Sequence, residues 1–193
     1  MRKILTKSRT GEKDKLSAIS RSQAVIEFTP EGIVLSANRN FLDVMGYEEA
    51  EIIGQHHSIF MPEWDRGTDE YREFWRDLKA GQFSAGEFHR ISKSGKGVWI
   101  NASYNPVFNK SGDVISILKI AADISELKTK SSMDAGLITA INLSQAVIHF
   151  DLDSNILDAN DNFCQTLGYT LDEIKGKKHA MFVAPEDQND DYR

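Results

Sequence analysis

The sequence predicts an α+β fold: a five-stranded antiparallel sheet with short helices on one face, then a helical connector and an incomplete second copy of the same domain. Three observations lead there. Between residues 17 and 124 the apolar pattern gives two short strands, several short helices and three longer strands. The opening of that domain then returns: Ser22-Gln23-Ala24-Val25-Ile26 reappears as Ser144-Gln145-Ala146-Val147-Ile148, and the spacing holds without a gap from Ser17/Thr139 to Phe60/Phe182. Twenty of those forty-four pairs are identical, and so long a period means a duplicated domain, not a solenoid of short units. Finally, residues 125–143 lack proline and hold one glycine, the composition of a helical connector and not of a flexible linker.

The elements follow in order. Residues 1–16 form a polar leader, with Leu16 and Ile19 as inner positions of a short entry helix. Ala24 to Phe28 is rich in β-formers, Thr29-Pro30-Glu31-Gly32 is a turn, and Ile33-Val34-Leu35 returns to make a hairpin. Asn38 caps a helix carrying Phe41, Leu42 and Met45, which Gly46 ends. A second short helix runs from Glu48 to Ile53 and stops at Gly54; in the other copy Thr170 and Glu173 have capping-box spacing at the same start. Residues 55–67 are irregular and aromatic-rich. From Thr68 to Ala80, Tyr71, Phe74, Trp75 and Leu78 fall on one helical face. Three strands joined by glycine-rich turns complete the domain: 83–91, 98–108 with a break near Pro106, and 114–121. Such a sheet, cupped over short helices, leaves a central pocket.

The domains are therefore a leader (1–16), a first domain (17–124), a connector (125–143) and the front half of a second domain (144–193). The missing helix and three strands predict that the native protein continues beyond Arg193, or that the second copy folds only with a partner or remains partly disordered.

Charge and composition exclude several classes. Net charge is −6, which disfavours general nucleic-acid binding. No apolar run approaches the ~18 residues of a membrane span, and no secretory signal opens the chain. The single cysteine, Cys164, replaces Leu42 of the first copy, reads as a packed core thiol, and fits a reducing cytoplasm. No phosphate loop, paired-histidine metal motif or nucleophile elbow is present, so the chain is not expected to be an enzyme.

The order of elements, with Ala37-Asn38-Arg39-Asn40-Phe41, Gly46-Tyr47, Glu51-Ile52-Ile53-Gly54 and the closing Asp123-Ile124-Ser125-Glu126, resembles the PAS sensor family, in full over 17–126 and in part over 139–193. Gln55 to Phe60, the Phe74-Trp75 helix, Gly86-Glu87-Phe88 and Val98 to Pro106 resemble the tandem PAS modules of bacterial methyl-accepting chemotaxis proteins. The resemblance implies a sensory input that relays a ligand or redox signal through the connector. It also implies a homodimer formed by PAS domains and flanking helices, with a downstream signalling domain or chemotaxis proteins as partners. The alternatives are a PAS interaction module without ligand, or the input domain of a histidine kinase or cyclic-dinucleotide enzyme.

The resemblance leaves the cofactor unknown, with haem, flavin and no cofactor as equal alternatives. His57, shared as His179, is the candidate haem ligand; the competing reading is a histidine hydrogen-bonded within its loop. Light-sensing relatives carry an adduct-forming cysteine where His57 stands, so photo-adduct chemistry is not expected. Trp64, Trp99 and Asn101 are the other candidate cofactor-binding residues. Trp99 and Asn101 share one side of a strand, which faces either the helices or solvent.

Overall fold

The computed structural model describes residues 12–184. Residues 1–11 and the Leu16 side chain lie outside the described residues, as does the tail from 185. The chain divides into two compact units, 1–128 and 129–193.

In the first unit, α1 (Glu12–Ser22) leads into β1 (Ala24–Phe28), which pairs antiparallel with β2 (Val34–Ala37). The helices α2 (Arg39–Met45), α3 (Glu49–Ile52) and α4 (Asp69–Lys79) follow. The strands β3 (Ser84–Ile91), β4 (Gly97–Phe108) and β5 (Val114–Asp123) complete one antiparallel sheet in the order β2-β1-β5-β4-β3. The segment 55–67, read as irregular, contains two single 3₁₀ turns, His57–Phe60 and Glu63–Asp65.

Alternation decides which face is buried. Ala24, Ile26 and Phe28 of β1, Val98, Ile100, Ala102 and Tyr104 of β4, and Ile117 and Ala121 of β5 point inward. Phe41 and Met45 of α2 and Trp75 and Leu78 of α4 close over them. Ile19, read as an inner position, is 40% exposed. The expected break near Pro106 is absent: β4 runs through it, and a bulge falls at Val107/Phe108 instead. Pairing with β3 ends at Ser84↔Tyr104, so Pro106 has a ladder partner on one side only and its missing N–H costs little.

The second unit repeats the opening. The helix α5 (Ser125–Ser144) precedes β6 (Ile148–Phe150) and β7 (Ile156–Ala159), then α6 (Asp161–Leu167), α7 (Leu171–Ile174) and a 3₁₀ turn at His179–Phe182. Even the pairing register repeats: Ile26↔Ala37 and Phe28↔Val34 in the first hairpin, Ile148↔Ala159 and Phe150↔Ile156 in the second. No counterpart of α4 or β3–β5 occurs among its described residues. Cys164 is half-buried, not a packed core thiol, and no residue of α6 is buried.

Candidate ligand site

A run of buried polar side chains crosses the first unit's core. His57, at the start of its 3₁₀ turn, is held by its backbone N–H donating to the Gly32 carbonyl at 2.8 Å. Its ring is fully buried, with Nδ1 2.9 Å from the Tyr71 hydroxyl and Nε2 3.0 Å from the Tyr104 hydroxyl. Phe28, Phe60 and Trp75 pack edge-on around it. Arg90 Nη2 donates to the same Tyr104 oxygen at 3.2 Å.

Lys119 lies between Ile26 and Tyr104 in the sheet register and is only 1% exposed. Its ammonium sits 4.8 Å from the Tyr104 ring centroid and 5.7 Å from that of Phe41. Arg90, 5% exposed, stacks over Phe88 at 4.9 Å. Neither cation forms an ion pair among the described residues. Arg90 Nε has no hydrogen-bond partner, and a buried donor left this way costs about 1–3 kcal/mol or more.

The electrostatics follow. Burial, then the Lys119 and Arg90 charges, hold the His57 imidazole well below its usual pKa, so it is neutral. Burial alone would raise the Tyr104 hydroxyl, but Lys119 and Arg90 outweigh it and lower its pKa. Burial lowers the Lys119 ammonium, with Tyr104 opposing and Arg90 adding. Burial pushes Tyr71 up to about 12.

Beside this cluster, between α4 and β3, opens a cleft of ≈ 360 Å³ lined by Met61, Tyr71, Phe74, Phe88, Arg90 and Trp99 among others. Its far rim is tied to the start of α5. The Trp99 N–H donates to Ser125 Oγ at 2.9 Å, and Ile124 N–H donates to the Trp99 carbonyl at 2.8 Å. Lys128 pairs with Glu87 at 2.5 Å and lies over the Trp99 ring.

The four residues singled out from sequence do not converge. With both ring nitrogens bonded and aromatic rings on every side, His57 does not fit an axial haem ligand in this arrangement. Trp64 is 74% exposed and does not line the cleft. Trp99 and Asn101 lie on the outer face of β4, Trp99 reaching the cleft only at its rim. His179 packs edge-on against Phe150 and Phe182, in a unit with no counterpart of Tyr104 among its described residues.

Sequence reading missed Arg90, Lys119, Tyr71 and Tyr104 as a cluster. One signal was available: Lys119 shares strand parity with Ile117 and Ala121, and Arg90 shares it with Phe88. It is faint because β5 also carries Leu118 and Ile120 on its other face, so parity alone does not say which side is inside.

A PAS domain family matches residues 22–126 and again 144–193; the chain belongs to the PAS domain family. Among curated relatives, it is 36% identical over 170 residues to the biofilm dispersion protein BdlA of Pseudomonas aeruginosa, covering 88% of this chain and 41% of that protein. It is 23% identical over 121 residues to the oxygen sensor protein DosP of Escherichia coli, covering 61% of this chain and 15% of that protein. The chain thus spans less than half the length of these relatives. Among solved structures, the PAS domain of a Colwellia psychrerythraea protein superposes with a TM-score of 0.53 at 20% identity, over 59% of this chain and 97% of that one. An RNA-binding light-oxygen-voltage receptor gives 0.55 at 19% identity, over 72% and 40%. At these identities the structures establish the fold.

Proposed function

We propose that this chain is the sensory input of a bacterial chemoreceptor-like transducer, with no reaction of its own. A small molecule or redox signal at the first PAS unit would bias the sheet, and the start of α5 would carry that bias onward. One observation carries the reading: Trp99 and Glu87, which line the cleft, are the residues that hold Ser125 and Lys128 at the start of α5. A change in cleft occupancy therefore acts on the helix root through two direct contacts. The relatives named for biofilm dispersion and oxygen sensing support a signalling role.

The test uses spin labels at Ser36→Cys and Ser132→Cys in a Cys164→Ser background. Every compound that raises the first unit's melting temperature should shift the label distance distribution. A stabilising compound that leaves it unchanged contradicts the relay.

Dimerisation is a second element of the proposal. Leu127, Met133, Leu137, Ile138 and Leu143 of α5 are 60–77% exposed, apolar surface that a second copy of the helix would cover. Sedimentation over a concentration series should show a dimer that Leu137→Glu weakens.

A further inference from the structure

We propose that the cleft between α4 and β3 binds a small organic monocarboxylate, its carboxylate on Arg90 and its hydrocarbon body against Phe74 and Phe88. This rests on the sensory reading of the first unit and names the chemical class of its signal.

Among the described residues the core carries two buried cations and no buried acid. Lys119 and Arg90 are 1% and 5% exposed and flank the Tyr104 hydroxyl. Buried cations are ordinarily paired, and this pair is not. Arg90 spends Nη1 on the His89 carbonyl and Nη2 on Tyr104, which leaves Nε as a donor without an acceptor. Arg90 also lines the cleft, so an entering carboxylate reaches the guanidinium directly.

The walls select the rest of the ligand. Phe74, Phe88 and Met61 are apolar, and ≈ 360 Å³ has room for a body of at least a single ring. The cleft also borders three acids, Asp65, Glu70 and Glu87. None pairs with Arg90; Glu87 is engaged by Lys128, and Glu70 is exposed to water. The negative charges of Asp65 and Glu70 at the lining disfavour multiply charged anions, so a monocarboxylate is favoured over phosphate or a tricarboxylate.

Calorimetric titration of the full chain with sodium benzoate, benzamide and inorganic phosphate tests this. Benzoate should bind one to one, at least tenfold tighter than its neutral isostere benzamide and than phosphate. Arg90→Gln should weaken benzoate at least tenfold and leave benzamide unchanged. Equal affinities for benzoate and benzamide in the wild-type chain, which needs no variant to fold, would overturn the site. So would phosphate binding as tightly as benzoate, or full benzoate affinity in folded Arg90→Gln. Benzoate binding with an unmoved spin-label distance would uphold the site and overturn the relay. Loss of the site alone leaves the relay open to another ligand.

Discussion

The two copies share a local code and differ in what that code is built into. Asn38 and Asn160 each accept the N–H of the third residue on, and Gly46 and Gly168 each end the helix in the left-handed conformation. The second short helix opens with a reciprocal capping box in both. His57 and His179 each donate their backbone N–H to the equivalent turn carbonyl, at 2.8 and 3.0 Å. Val34 and Ile52 are as buried as Ile156 and Ile174, because hairpin and short helix cover these pairs by themselves. Phe28 is fully buried, whereas Phe150 is 37% exposed; Met45 is 1% exposed and Leu167 42%. The difference is the layer that α4 and β3–β5 supply. Caps and turns set the backbone of a PAS opening, but only the later sheet turns its aromatic face into a core with a buried polar site.

Paired substitutions can break or sharpen that contrast. The largest expected effect is Phe28→Ala, which should destabilise the first unit by about 3–5 kcal/mol, while Phe150→Ala costs about 1 kcal/mol or less in the second. Denaturant titrations followed by unit-specific amide signals measure both. Next is the turn. Gly32 has φ +85°, and a Cβ there would meet His56 at 2.9 Å and Trp75 at 3.0 Å. Gly32→Ala should therefore cost about 2 kcal/mol from backbone strain and crowding. Its counterpart Ser154 already holds φ 63°, the only described non-glycine residue there, so Ser154→Gly should be neutral to stabilising, within about 1 kcal/mol.

The third effect depends on pH. His57 titrates well below 6.5 when folded, so below that pH the unfolded chain binds the proton that the folded chain refuses. Stability from this group is complete above pH 6.5 and falls as pH drops, by at most about 1.4 kcal/mol per unit. Melting curves across that window should lose this slope in His57→Gln. The smallest contrast should be none at all: Asn38→Ala and Asn160→Ala should each cost about 1–2 kcal/mol, equal within about 0.5.

Much of the fold was legible because its signals are local. Asn caps, left-handed glycines and the 3.6-residue pattern of Tyr71, Phe74, Trp75 and Leu78 act within a few residues and survive in both copies. The site was not legible, because it is made across the sheet. Tyr104, Lys119 and Ile26 become neighbours only through strand register. His57 stood out by repetition, yet its partners lie fourteen and forty-seven residues away. Trp99 and Asn101 shared a side as read, but which side was inside depended on Val98, Ile100 and Tyr104 meeting the helices.

Residue-resolved hydrogen exchange on the intact chain tests most directly whether only the first copy is built around a buried core. Three amides make the same bond in both units: Asn38 and Asn160, His57 and His179, Gly54 and Gly176. Each first-copy amide should exchange at least about a hundredfold more slowly than its counterpart, since protection tracks burial and packing of the surrounding unit. Equal protection across the three pairs would contradict the distinction between a built sensory unit and a locally folded repeat.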